Sequence, residues 1–302
     1  MNGINGPLDD LKARGGSRET TLKTMMRAGL ASLLCAGCTV GGSDAAGASG
    51  DGPDGAAGYG AGGASADVYV EADDSAVPPI EGVWAQKLVY AAINDIPAVG
   101  QMNGTTTTIQ RLVVQRTGTS IAMTAEPCAI EIDNGTNVVN TIIPDAFLRS
   151  LGITDRSGHL ERDAGTWRFL QDRKLQLRGV HLDQPETDPL PTDDADPRVW
   201  DQDQDNHPGV TVRITGLTDG EVYLVQRDIH SLEGVVQADR IDGLTDWSID
   251  QVVLGSDNPV LDMQTSSVKD PDASASWFRS TRVDEATDCA AILASRDTLF
   301  AR

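Results

Sequence analysis

Val210-Thr211-Val212-Arg213-Ile214-Thr215 leads, across Asp219-Gly220, into Val222-Tyr223-Leu224-Val225 and a run that continues to Ile229. Val210, Val212 and Ile214 alternate with Thr211, Arg213 and Thr215, the period of two that turns one set of side chains to a core and the other to water. Asp-Gly supplies the positive φ angles of a tight hairpin. The stretch therefore reads as one antiparallel hairpin, and its pattern recurs along the chain. Ile121, Met123 and Ala125 alternate with Ala122 and Thr124. Cys128, Ile130 and Ile132 alternate with Ala129, Glu131 and Asp133, and Leu175 and Leu177 alternate with Lys174, Gln176 and Arg178. Asp133-Asn134-Gly135-Thr136 reads as the next hairpin turn, and Asn103-Gly104 and Asp242-Gly243 as two more. Strands are predicted near 82–92, 108–116, 119–132, 137–143, 167–178, 209–215, 221–229, 233–239 and 246–254, with a tenth near 277–283. The fold class is all-β: an antiparallel up-and-down meander that closes into a barrel or folds into a sandwich. Two short helices are expected, one capped by Asp145 and carrying Phe147, Leu148 and Leu151. The other is a C-terminal helix capped by Asp284 and carrying Cys289, Ile292, Leu293, Leu299 and Phe300.

Working outward, the β pattern begins only after Pro78-Pro79, so residues 80–302 form the expected domain. The N-terminal part has a different composition. A polar, basic stretch with Lys23 and Arg27 precedes the short apolar run Ala28-Gly29-Leu30-Ala31-Ser32-Leu33-Leu34-Cys35-Ala36-Gly37-Cys38, the pattern of a secretory signal over 1–37. Its core suits a start at Met25 or Met26 as well as Met1. The ending Leu34-Cys35-Ala36-Gly37-Cys38 resembles the lipobox of bacterial lipoproteins, with Cys35 where that family usually has Leu. The resemblance implies cleavage before Cys38 and a lipid on Cys38. Residues 39–66 hold 10 Gly and 8 Ala in 28 positions, a composition that buries no core and behaves as a flexible tether, so 38–79 reads as a lipidated Cys and its linker. Thr39 stands where lipoproteins kept at the inner membrane often have Asp, which by the same resemblance implies the outer membrane. The expected partner is thus the membrane, through the lipid at Cys38.

The formal charge is −21, and removing residues 1–37, with five basic and three acidic side chains, takes it to −23. A chain of that sign repels phosphate, so no nucleic-acid partner is expected. With Cys35 lost and Cys38 acylated, Cys128 and Cys289 remain, an even pair that in an exported chain reads as a disulfide. Its 161-residue loop is long enough for about 4–5 kcal/mol in the chain-entropy account.

Two clusters are candidate sites. Residues 183–205 hold nine acidic residues together with four prolines, which break helix and central strand. Within this long loop Asp201-Gln202-Asp203-Gln204-Asp205-Asn206-His207 places carboxylates at alternate positions around one point. Hard oxygen donors suit calcium, and the run resembles the DxDxDG loops of EF-hands and thrombospondin type 3 repeats. Asn206 stands at the left-handed position and Val212 stands where an EF-hand has its bidentate Glu, so a full EF-hand is rejected and a shorter loop remains. The expected metal residues are Asp201, Asp203, Asp205 and His207, the last through its carbonyl, or other acids such as Asp194 or Asp196 in its place, against the alternative of a solvated acidic loop. The second cluster is Asp228 and His230, two residues apart and so on one face of a strand, the pair a hydrolase could use. No metalloprotease His pair, nucleophile elbow or phosphate loop occurs.

The domain opens Glu81-Gly82-Val83-Trp84, which resembles the Gly-x-Trp opening of lipocalins, barrels that hold small apolar ligands and end in a helix. The expectation is a non-enzymatic, lipid-anchored envelope protein whose β domain takes a small apolar ligand or meets an envelope protein, with calcium ordering the acidic loop. The rival expectations are an envelope hydrolase and a purely structural or partner-binding module.

Overall fold

The computed structural model describes residues 77–96, 100–136, 139–216, 218–262 and 267–301. The signal and lipobox readings fall outside them, and so does the expected tether up to residue 76; Val77, near that tether's expected end, is instead buried in the floor of the domain. Eleven strands, all antiparallel, follow one another as β1 (Gly82–Ile96), β2 (Gly100–Thr117), β3 (Ser120–Asp133), β4 (Val139–Ile142), β5 (Thr154–Asp163), β6 (Thr166–Arg178), β7 (Val210–Gly216), β8 (Gly220–Val236), β9 (Arg240–Ser256), β10 (Ser267–Lys269) and β11 (Trp277–Val283). Hydrogen bonds run β8-β6-β5-β3-β2-β1-β11-β9 and then from β9 back to β8. The ring is closed, and its strands neighbour each other in chain order: it is an up-and-down barrel, with no free edge along the ring. β7 continues the place of β6 beside β8, since Arg178 pairs with Gln226 and Val210 with Leu224. The acidic loop is the excursion between those two half-strands.

The expected hairpin of Val210–Thr215 with the strand from Val222 is present as β7 and β8. Other boundaries moved, for identifiable reasons. Asn103-Gly104 and Asp242-Gly243 are not turns but lie inside β2 and β9, where Gly104 pairs with Ala92 and Gly243 with Gly234. A Cβ on Gly243 would sit 2.1 Å from Glu233 O and 2.6 Å from the Phe278 ring, so glycine there answers close approach across the barrel wall. The two strands expected at 221–229 and 233–239 are one, β8. β5 went unread because its inward positions are Arg156, Gly158 and Leu160, which make no apolar alternation.

The floor of the barrel is a packed apolar plug of Ile80, Trp84, Leu112, Met123, Phe169 and Phe278 with their neighbours. Trp84 is 1% exposed, donates Nε1–H to Ile80 O at 2.8 Å, and lies under the Arg282 guanidinium, 4.4 Å from the ring centroid. Helix α1 (Asp145–Ser150) packs Phe147 into a second apolar cluster with Val139, Val212, Ile214, Leu224 and Val253 at the other end. Pro144 is its N-cap and Asp145 its first residue, so the helix begins one position earlier than expected.

The expected disulfide Cys128–Cys289 is formed, with Cα atoms 5.1 Å apart. Cys128 is the extra residue of a β-bulge: Ile109 pairs with Ala129 and Gln110 with Pro127, and Pro127 has no N–H to give a ladder. The bridge fastens helix α2 (Cys289–Ala294) to the outside of the barrel, where Ile292 and Phe300 cover Ala85 and Ile109. The cap of α2 is Asp288, which accepts from Ala291 N at 2.8 Å, rather than Asp284, and Ser295 divides it from α3 (Arg296–Leu299).

Candidate functional site: the barrel lumen and the acidic loop

Above the floor the barrel wall turns polar on its inner face. Successive inward positions of β8 are Gln226, Asp228, His230 and Leu232. On β6 a bulge sets Asp172 and Arg173 against the single residue Ser231, so that Gln171 pairs with Leu232 and Lys174 with His230. The bulge exchanges the parity of the strand: Phe169 and Gln171 point inward before it, Gln176 and Arg178 after it. Leu175 and Leu177, expected on the buried face, are therefore on the half-covered outer one, and Arg178 enters the lumen.

The result is a chain of hydrogen bonds across the barrel. Gln86 donates to Ser280 Oγ at 2.8 Å, and Gln110 donates to Gln86 Oε1. Arg156 Nη2 donates to Gln110 Oε1 at 3.3 Å, and Nη1 lies 2.6 Å from His230 Nε2. A guanidinium only donates, so Nε2 is the accepting nitrogen and the ring proton sits on Nδ1, 3.6 Å from Asp228 Oδ1. Asp228 Oδ2 accepts from Arg178 Nη2 at 2.9 Å, and Arg178 Nη1 donates to Gln226 Oε1 at 3.2 Å.

Burial lowers the His230 pKa against the pull of Asp228, and the Arg156 and Arg178 charges lower it further, so the ring stays neutral. Burial opposes the charge of Asp228, but Arg178 and His230 outweigh it and hold the carboxyl well below its ordinary range. Burial first, and then Asp228, push the Tyr90 phenol up. Tyr90 packs edge-on to Trp247, with centroids 5.7 Å apart.

Above this belt lies a partly open cavity of about 130 Å³, lined by Leu88, Ile130, Ile132, Val212 and Ile249 and, from α1 and its end, by Phe147 and Leu151. Asp228 and His230 thus share a strand face, as expected, but inside the barrel rather than on its surface. His230 Nε2 is occupied by Arg156, and among the described residues no hydroxyl or thiol hydrogen-bonds to the ring. Sequence reading missed Arg156 and Arg178.

The acidic loop leaves β6 and re-enters β7 through Gly179 and Gly209, both at positive φ. A Cβ on Gly209 would lie 2.2 Å from Leu224 O, and one on Gly179 would lie 2.5 Å from Gly209 Cα, so the loop closes only where both ends lack side chains. Inside it, ligand atoms of Asp201, Asp203 and Asp205 lie within 4.8 Å of one another. Asp201 accepts from the N–H groups of Asp205 and Asn206 at 3.1 and 2.8 Å, which coils the loop, with Gln204 and Asn206 at φ 61° and 70°. Asp203 is 8% exposed; its Oδ2 accepts from Thr211 N at 2.9 Å while Oδ1 is buried without a hydrogen-bond partner. Burial and the neighbouring Asp205 raise its pKa although the Thr211 bond opposes them.

These three carboxylates can hold a cation. The His207 imidazole is not in their group and stacks on Tyr223, with centroids 4.1 Å apart, so the donor expected from this residue is its carbonyl. Asp196 is engaged by Arg198 at 2.8 Å, which holds its carboxyl down at about 2. The loop also reaches the far end of α1. Gln202, between Asp201 and Asp203, accepts from Gly179 N at 2.8 Å and donates to Ser150 O at 3.2 Å. Comparison with protein-family models, curated proteins and solved structures gives no match.

Proposed function

We propose that this is a ligand-binding barrel held at the bacterial outer membrane by a lipid on Cys38 and kept clear of the bilayer by the tether that precedes Val77. The observation that carries the ligand-binding reading is the lumen: a closed ring of strands with a cavity of about 130 Å³ whose upper walls are apolar. A barrel whose interior served only stability would fill that space with side chains, as the floor does. The fold and the Gly82-Val83-Trp84 opening fit the lipocalin-like expectation; on this reading the chain is a carrier or sensor of a small molecule and not an enzyme. Fluorobenzene, a neutral probe of the right size, is expected to bind saturably by ¹⁹F NMR, and Ile130→Phe, which fills the lumen, to remove that binding. Absence of saturable binding to the wild type defeats the reading. For the anchor, Cys38→Ser is expected to move the protein from the membrane to the soluble fraction; retention in the membrane defeats it.

A second reading concerns the acidic loop. Asp201, Asp203 and Asp205 bind calcium, with Asp203 Oδ1 as the donor that the fold leaves unsatisfied. The ion would hold the loop that clasps α1 through Gln202.

A further inference from the structure

The charges in the lumen do not cancel. The ionisable groups around the cavity are Tyr90, Arg156, Arg178, Asp228 and His230. With phenol and imidazole neutral, two guanidinium groups face one carboxylate, a surplus of one positive charge inside a chain whose total is −21. Asp228 answers Arg178 directly at 2.9 Å. Arg156, 9% exposed, is hydrogen-bonded to a neutral imidazole nitrogen and an amide oxygen. Among the described residues no carboxylate hydrogen-bonds to it. Each guanidinium spends its two Nη groups on the network, and both Nε atoms are buried without a partner. A buried donor left unmade counts against the fold, more so on a charged group, so the protein alone leaves both guanidinium groups in the cavity wall incompletely satisfied.

We propose that the lumen takes a small organic monoanion, a carboxylate on an apolar body. Its head lies toward Arg156 and Arg178 and its body against Ile130, Ile249 and Phe147 under α1. This deepens the ligand-binding reading above and rests on it. The surplus charge of one matches a carboxylate; a phosphate monoester brings about 1.5–2 negative charges and would leave the lumen net negative. The planar guanidinium is the side chain suited to an oxyanion in a partly dry site. Size sets the body. A dry cavity of about 150 Å³ accommodates benzene, and this one is about 130 Å³, which fits a single aromatic ring or a chain of about six carbons.

The test titrates the mature full-length protein calorimetrically at neutral pH with two matched pairs, benzoate against benzyl alcohol and hexanoate against 1-hexanol. Each acid is expected to bind at least tenfold tighter than its alcohol. Arg156→Gln should remove that preference while leaving the alcohol affinity within about twofold. Should that variant fail to fold, Asp228→Asn gives an independent sign: with the competing carboxylate neutralised, benzoate should bind several-fold tighter and benzyl alcohol unchanged. Alcohols binding as tightly as acids, or Asp228→Asn weakening benzoate, overturns the anion claim. If fluorobenzene still binds, the ligand-binding reading survives that result; if neither fluorobenzene nor any of the four compounds binds, both fall together.

Discussion

The two halves of the barrel interior are built from opposite materials. Below, Trp84, Leu112, Phe169 and Phe278 fill the space between the strands with apolar side chains that are nearly wholly buried. Above, the same strands present Gln110, Arg156, Arg178, Asp228 and His230 and leave a cavity. Apolar packing returns stability in proportion to the area removed from water. A buried polar belt at best breaks even, and every donor it leaves open counts against the fold. One half therefore holds the barrel together, and the other contributes little to holding it. The strands pass from one regime to the other within two or three residues.

The largest effect that tests this contrast lies in the floor. Trp84→Ala should cost about 3–5 kcal/mol by denaturant unfolding, since it opens a large void in a packed plug. Ile130→Ala, on the cavity wall, should cost less than about 2 kcal/mol, because a side chain already facing empty space has fewer contacts to lose. Equal costs for the two substitutions would mean that the upper half is packed as tightly as the floor.

The floor was also the half more open to sequence reading. Ile121, Met123 and Ala125 alternate cleanly, and a strand that buries apolar residues on one face declares itself. The upper half hides because its inward residues are charged. β5 shows Arg156 and Gly158 where a reader looks for Val or Leu, and β6 changes parity at Asp172-Arg173, so that Leu175 and Leu177 mark the wrong face. Glycines misled for a related reason. Gly104 and Gly243 are needed for close approach across a wall, and nothing in the letters separates that need from a turn. Cys128 and Cys289 were legible through redox logic alone, without the bulge that makes Cys128 available. The three aspartates were legible as a spaced group, but the stacking of His207 on Tyr223 depends on a partner in another strand.

The next effect separates the mouth end from the floor through the acidic loop. At free calcium a hundredfold above its Kd, binding should stabilise the protein by about 2.7 kcal/mol, about 5–10 °C in Tm for a domain of this size. Chelator should reverse the shift and Asp203→Asn should abolish it. Hydrogen exchange through local opening should slow most over residues 179–209 and in α1, which Gln202 joins to the loop, while amides of Val77–Trp84 should gain only what the rise in global stability gives them. A Tm indifferent to calcium and chelator would leave the carboxylates as solvated loop residues. Protection that rises equally at the floor would break the separation of the two ends.

The smallest effect is a slope with pH, and it belongs to the upper half alone. His230 faces Asp228 on its own strand, Arg156 from β5, Arg178 from β6 and Tyr90 from β1, and burial keeps it neutral. Its folded pKa lies below the unfolded value of about 6.5. Below that pH the unfolded chain takes up a proton that the folded chain refuses, so stability falls as pH falls. The slope is at most about 1.4 kcal/mol per pH unit for this one group. Asp228 acts with the same sign but lower down: its folded carboxyl stays ionised after the unfolded one protonates near pH 3.9, so its contribution is complete above that value and is lost in stronger acid. Between pH 6.5 and 4 the slope from the lumen is thus the His230 slope. Denaturant midpoints at pH 7, 6 and 5 should show it in the wild type. His230→Gln, whose amide oxygen can still accept from Arg156, should flatten it, whereas Trp84→Phe should lower every midpoint without changing it. A His230→Gln protein with the wild-type slope would place the titrating group outside the lumen and remove the electrostatic half of the contrast.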